Sequence, residues 1–372
     1  MANATNPVLE AAIRHDRTDP APYLVYADWL QSAGHPLGEL IVLQHALDKA
    51  PDPAKQARAD EIIKGLDLPS PKLATFGWRR GLWSWLRLEN QEDWMNEEFD
   101  AVALARTLFA SPACAVLEEL RIGILRWDAN AVDVPAVVAE AANHAWAPGL
   151  TRLHLGDVAS DIDMAHHVVG DVGEIVSRVF PNLVSLKLHS GNQEWRGDGV
   201  TFGVAGITLP ALVELVVETC SLSSERAQAI AAARTPNLER LELWFGSDNE
   251  GADASTADIR GILDGQLFPK LRQLGLRNAE IADELAAALP AARIAARLES
   301  LDLSMGTLGD EAAIELAAQG AAFPALRQLS VDDNYLTEEA LTALRAGFPR
   351  TTIISNSQKE GEEDDRYVSV AE

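Results

Sequence analysis

One short pattern of apolar positions organises the chain: LxxLxL, with Ile or Val allowed in the last place. It stands at Leu117-Leu120-Ile122, Leu150-Leu153-Leu155, Leu183-Leu186-Leu188 and Leu212-Leu215-Val217. It returns at Leu238-Leu241-Leu243, Leu271-Leu274-Leu276, Leu298-Leu301-Leu303 and Leu326-Leu329-Val331. Successive starts are 33, 33, 29, 26, 33, 27 and 28 residues apart, a near-regularity that chance does not produce. A degenerate copy, Trp83-Leu86-Leu88, precedes them. The last two apolar residues of each copy alternate with period two, which predicts a short strand with its leucines on one face. Between copies the apolar spacing becomes helical, as in SSERAQAIAAA, GDEAAIELAAQ (309–319) and TEEALTALRAG (337–347). A Ser, Thr or Asp near each start supplies an N-cap, and a proline follows several of the helices, at Pro181, Pro236, Pro269 and Pro324.

Several copies extend to a longer consensus, a small or polar residue followed two places on by an aliphatic one: Cys220 with Leu222, Ala279 with Ile281, Gly306 with Leu308, Asn334 with Leu336. In this the chain resembles the leucine-rich repeats, and the long, helix-bearing steps resemble the ribonuclease-inhibitor type over about residues 83–355. The resemblance implies an α/β fold: a curved solenoid with parallel strands on its concave side and helices on its convex side. One strand and one helix cannot bury their shared apolar face alone, so each repeat depends on its neighbours.

Open ends of such a stack need caps. Phe348 to Ile354 reads as the C-terminal one. The run KEGEEDD (359–365) reads as disordered, and RYVSVAE after it fits either a docked edge strand or a free end. At the other end, residues 6–47 read as three short helices around YLVYADWLQSAGHPLGELIVLQ. Tyr26, Ala27, Asp28, Trp29, Leu30, Gly34, Gly38, Glu39, Leu40, Ile41, Leu43 and Gln44 resemble the signature of a small bacterial repeat-companion domain. Leu40 stands where that family usually has an aromatic. The resemblance implies an architecture, not an activity. Tyr26, Trp29 and Leu30 form one apolar helix face, and Asp28 reads as a solvated or capping carboxylate. The expected organisation is an all-helical companion domain over 1–75, a repeat array of eight to nine copies over 76–355, and an acidic flexible tail over 356–372.

Charge narrows the choice of partner. With 31 basic and 56 acidic residues the formal charge is −25, which disfavours nucleic acid and anionic lipid. The start of the chain lacks the basic and apolar regions of a secretory leader, no apolar run is long enough to span a membrane, and two cysteines, Cys114 and Cys220, are too few for a disulfide framework. A cytoplasmic monomer that binds a protein is expected. No glycine-rich phosphate loop, GxSxG, HExxH or CxxC occurs, so neither catalysis nor a cofactor or metal is expected. The cluster DIDMAHHVVGD (161–171) is rich in metal-binding residue types, but neighbours on a helix diverge by about 100° and rarely share one ion; it reads as a solvated insertion. Trp83, Trp85 and Trp94, among nine tryptophans, are assigned to the N-terminal cap.

Residues between the leucines should face the concave side, with the same position on adjacent strands about 5 Å apart. One column reads Arg87, Arg121, His154, Lys187, Val216, Glu242, Gly275, Asp302, Ser330; the next reads Glu89, Gly123, Gly156, His189, Glu218, Trp244, Arg277, Ser304, Asp332. Stacked like charges destabilise a sheet, so the basic stretch needs an offset from Glu89 and Glu119 or from an anionic partner. Trp244 has no evident inward role, and exposed aromatics of this kind anchor interfaces. Arg87, Arg121, His154, Lys187, His189, Glu242, Trp244 and Arg277 are therefore the candidate partner-binding residues of a non-catalytic interaction module. The alternatives are a self-assembling scaffold and an effector whose activity resides in the N-terminal helices.

Overall fold

The repeated leucines are where the structure is densest. In the computed structural model, which describes residues 5–158, 164, 167–191, 202–361 and 365–371, Leu120, Leu155, Leu215, Leu241, Leu301 and Leu329 are all fully buried. The chain divides into two compact units, Met1–Asp157 and Val158–Glu372.

The first unit opens with four helices: α1 (Pro7–His15), α2 (Pro20–Ser32), α3 (Pro36–Lys49) and α4 (Pro53–Gly65). Each begins with proline at its first position behind a capping Asn6, Asp19, His35 or Asp52, the arrangement in which the missing N–H costs nothing and the fixed φ suits a helix. Gly34 ends the α2 turn in the left-handed region (φ 70°). Gly38 lets α3 close on α2, since a Cβ there would stand 2.6 Å from the Ala27 carbonyl oxygen. Tyr26 and Leu30 are buried, Trp29 stacks on Tyr26 with centroids 5.6 Å apart, and Asp28 is exposed. The Tyr26 hydroxyl donates to Glu10 (3.2 Å), and burial followed by the nearby Glu10 carboxylate pushes its pKa up. Arg14 donates to the Ala115 carbonyl (2.6 Å) and Arg17 to that of Gly149 (2.8 Å), which ties α1 to the first repeats.

These repeats hold β2 (Leu82–Leu88), β3 (Glu119–Ile122) and β4 (Arg152–Leu155), paired in parallel, with α5 (Ala101–Phe109) and α6 (Asn130–Ala141) between them. The degenerate copy at Trp83-Leu86-Leu88 is thus a strand. Ahead of it runs one the leucine pattern does not announce: β1 (Ala74–Arg79), antiparallel to β2 and joined to it by the Arg80-Gly81 turn. Trp83 lies buried against Phe76 (4.3 Å) and Trp78 (5.9 Å), while Trp94 stacks on Trp127 (5.8 Å).

In the second unit β5 (Ser185–His189), β6 (Glu214–Glu218), β7 (Arg240–Gly246), β8 (Gln273–Ala279), β9 (Ser300–Asp302), β10 (Gln328–Ser330) and β11 (Thr352–Ile354) pair in chain order, all parallel. Helix α7 (Gly173–Val179) precedes β5, and from β6 onward α8 (Ser224–Ala231), α9 (Arg260–Asp264), α10 (Ala282–Ala288), α11 (Asp310–Ala318) and α12 (Glu338–Gly347) alternate with the strands. Asn334, in the consensus position, is fully buried. Its amide donates to the carbonyls of Leu303 (2.9 Å) and Val331 (3.1 Å) and accepts from the Leu308 N–H (3.1 Å), so one side chain satisfies main-chain groups of two repeats that would otherwise be stranded without water. Phe348 is buried and β11 closes the sheet on β10.

Residues 365–371, within the segment expected as a flexible tail, lie against these repeats, and Val368 is buried. Cys114 and Cys220 are buried thiols outside any disulfide; burial pushes the Cys114 thiol well up. Among the described residues no helix is long and apolar enough to cross a membrane.

Replacing a leucine of the column should cost both its transfer energy and a cavity. Leu301→Ala is expected to destabilise the protein by about 3 kcal/mol, read from the shift in a urea unfolding midpoint. Val8→Ala, at a site 78% exposed, is expected to change stability by less than about 0.5 kcal/mol.

Candidate functional site

The strand faces carry the two columns in the expected order within each unit. In the first, Arg87 aligns with Arg121 and Arg121 with His154. Each of the three has a carboxylate partner. Arg87 donates from Nε to Asp157 Oδ2 and from Nη2 to the Asp157 carbonyl, both at 2.7 Å, and also pairs with Glu89. Arg121 pairs with Glu119 and lies over the Trp85 ring at 5.6 Å. Arg152 reaches the other oxygen of Glu119 at 2.9 Å, and His154 Nδ1 stands 3.4 Å from Asp157 Oδ1. Burial of Glu119 opposes its charge, yet the hydrogen bonds from Arg121 and Arg152 prevail and hold its carboxyl below the ordinary range. The offset that the stacked cations require is therefore supplied from within, by Glu89, Glu119 and Asp157.

In the second unit Lys187 and His189 converge on one buried carboxylate. Glu218 takes Lys187 Nζ at 2.8 Å on one oxygen and His189 Nδ1 at 2.7 Å on the other. The His189 ring also stacks on His167 (5.1 Å, 12° between planes). On the next strand after that of Glu218, Glu242 collects three donors: Trp244 Nε1 (2.9 Å), Arg277 Nη1 (2.8 Å) and Arg240 Nη2 (2.6 Å). Arg277 lies over the Trp244 ring at 5.2 Å and donates to Ser304 Oγ at 3.0 Å. Glu242 is only 6% exposed. Burial alone would raise its pKa, but the donors from Trp244 and Arg277 and the nearby Arg240 outweigh it and hold the carboxyl below its usual range. Glu218 behaves alike, with burial opposed by His189 and Lys187. Because Gly275 has no side chain, a recess of about 210 Å³ opens beside this cluster, with Glu242 and Arg240 among its lining and Ser300 and Asp302 across from them.

The eight candidates thus form separate groups: Arg87, Arg121 and His154 in the first unit, Lys187 with His189, and Glu242 with Trp244 and Arg277 in the second. Asp157 and Arg240, which complete two of these groups, were not among them. Asp157 lies two places past the last apolar residue of its copy, outside both columns, so only a third column would have exposed it. Arg240 precedes the second leucine of its copy and belongs to a column at the strand's start. Of the segment 161–171, Met164 and residues 167–171 are described and the rest lies outside the described residues. Among the described residues no group of three His, Cys, Asp or Glu side chains is placed to hold a metal ion.

No family model matches the sequence, and no curated protein matches it either. Solved structures do. A protein from Bacteroides fragilis is similar over 72% of this chain and 73% of its own, at 21% identity and a TM-score of 0.63. The fold is that of a leucine-rich-repeat protein. An internalin from Listeria monocytogenes aligns over 73% of this chain and 68% of its own at 12% identity, with a TM-score of 0.34. The yeast Rad7–Elc1 complex supplies a chain aligned over 92% of this one and 83% of its own at 17% identity, with a TM-score of 0.36. Likeness at those last two scores is too loose to bear on function.

The depressed carboxyls set a pH dependence. Glu218 and Glu242 have folded pKa values below their ordinary 4.5, so the stability they contribute is complete above pH 4.5 and is lost as the pH falls through the folded values. Glu242→Gln is expected to lower stability at pH 7 by about 2 to 3 kcal/mol. The gap from the unsubstituted protein should narrow below pH 4.5, as followed by urea unfolding at stepped pH; a gap that stays constant with pH would show that Glu242 carries no proton-linked stability.

Proposed function

We propose that the protein is a non-catalytic interaction module that holds a protein partner on the strand faces of its repeats. The observation that carries this reading is the set of partly exposed Arg, Lys, His and Trp side chains fixed on those faces by buried carboxylates. Lys187, His189, Trp244 and Arg277 are each held by Glu218 or Glu242. Side chains already fixed lose little further freedom on association, and Trp and Arg are the residues that most often dominate interface energy. Because anion and cation alternate on these faces, the partner that fits carries both signs. The −25 charge of the whole chain steers a basic protein toward it and nucleic acid or anionic membrane away. The same reading takes residues 1–75 as a bacterial repeat-companion domain, 76–355 as the repeat array and 356–372 as an acidic tail, in a cytoplasmic monomer without cofactor or metal.

Its test uses substitutions that leave the buried carboxylates in place. Arg121 and Lys187 sit at part-exposed pairs of the kind worth under about 1 kcal/mol, so Arg121→Ala with Lys187→Ala should fold normally by circular dichroism. Reversible cross-linking capture is expected to recover a protein with the unsubstituted chain and at least tenfold less of it with the double variant and with Trp244→Ala. Equal recovery by all three would remove the strand faces from consideration. A cross-link only to further copies of the chain, with a matching oligomer in light scattering, would favour the scaffold reading instead.

A further inference from the structure

The C-terminal residues 366–371 are not merely present on the second unit; they are held there by a particular set of groups. Three successive repeats place a non-glycine residue in the left-handed region two places past the last apolar residue of the copy: Asn278 (φ 52°), Met305 (φ 69°) and Asp333 (φ 54°). Such residues are uncommon outside glycine, and here each one meets the segment. Asn278 Nδ2 donates to the Val370 carbonyl (2.6 Å) while its Oδ1 accepts the Val370 N–H (2.8 Å). The Met305 carbonyl accepts the Ser369 N–H (2.9 Å), and Asp333 accepts the Ser369 hydroxyl. Further along, the Tyr335 hydroxyl takes the Tyr367 N–H (3.0 Å) and lies 3.2 Å from its carbonyl, which Lys359 Nζ also reaches (3.0 Å).

Two features make this a recognition site rather than a run of surface contacts. The groups gripped are mainly main-chain N–H and C=O, paired with a side-chain amide in the way one strand pairs with another, so the grip depends on an extended backbone more than on residue identity. The segment also alternates: Val368 is buried and Val370 packs with Trp244 against Met164 and Cys220, while Tyr367 and Ser369 face outward. Specificity then lies in two aliphatic residues spaced two apart behind a basic one, Arg366, whose Nη1 stands 3.7 Å from Asp283.

We propose that this groove is a docking site for an extended protein segment of basic–aromatic–aliphatic–small–aliphatic pattern, and that the chain's own residues 366–370 occupy it as a displaceable resident. The resident argues for the occupant: it shows the chemistry the groove accepts, and only Val368 of it is buried outright. Seating a strand there would also control access to Trp244. The site shares Trp244 with the proposed partner face but uses none of Arg87, Arg121, Lys187 or His189, so the peptide assay and the capture by Arg121→Ala with Lys187→Ala can fail independently.

A fluorescent peptide with the sequence of residues 366–372 tests it by anisotropy. Protein ending at Asp365 is expected to bind the peptide, and the full chain at least tenfold more weakly, because the tethered resident competes at high effective concentration. Asn278→Gly, which suits the left-handed backbone and removes both clamp hydrogen bonds, should weaken peptide binding to the shortened protein at least tenfold. A peptide with Val368→Asp should fail to bind. Circular dichroism and a thermal melt establish that the shortened protein folds. If the folded, shortened protein ignores the peptide, or if the full chain cannot be displaced even by millimolar peptide, the segment is a fixed cap and the proposal falls. If shortening turns a dimer into a monomer in light scattering, the resident belongs to a second copy and its assignment within one chain is overturned.

Discussion

Burial of the inward leucines is the constraint on which the rest depends. A three-residue strand such as β9 or β10 has too little main-chain pairing to stand alone, and a nine- or ten-residue helix such as α11 or α12 is too short to hold by itself in water. Each acquires stability only because its leucine fills the space left by the neighbours above and below. The spacing of the leucines then fixes every other position by default. Residues between them are obliged to face away from the core, the consensus asparagine is obliged to satisfy the turn, and the positions just past the strand must reverse the chain in very little length. Asn278 near the end of β8, and Met305 and Asp333 just past β9 and β10, take up the left-handed region there, and their polar groups meet Ser369 and Val370.

On the faces so defined, electrostatics works within the chain before it works on anything else. An acidic protein that lines up Arg87 with Arg121 would pay for the repulsion if it did not set Asp157, Glu89 and Glu119 among them. Glu218 and Glu242 go further, since a carboxylate this buried survives as an anion only where several donors meet it. Breaking such a group by removing the carboxylate leaves cations stranded, whereas trimming one exposed cation leaves a carboxylate that still has partners. The two kinds of substitution therefore separate stability from recognition.

The repeats, the order of the columns and the helices ahead of them follow from the hydrophobic pattern, because period two and period 3.6 are properties of the sequence itself. The partners of the columns do not follow. Asp157 and Arg240 sit at strand margins where no periodicity constrains side chains, and ion pairing there depends on rotamers that a pattern does not encode. Strand β1 was equally hidden: Ala74, Phe76 and Trp78 alternate, but no leucine copy marks them, and their pairing with β2 depends on a two-residue turn at Arg80 and Gly81. The docked C-terminal segment was ambiguous for another reason. RYVSVAE shows the right alternation for a strand, but whether it docks depends on Asn278, some ninety residues earlier, being turned to meet it.

The two thiols have a use that their burial creates. Cys114 lies in one compact unit and Cys220 in the other, each fully buried. A thiol reacts as the thiolate and only where reagent can reach it, so neither should be modified while its own unit stays closed. Alkylation in the native state then becomes a pair of clocks, one for the opening of each unit. With one reagent and a mass readout, they report whether the repeats come apart as a single cooperative body or in two steps.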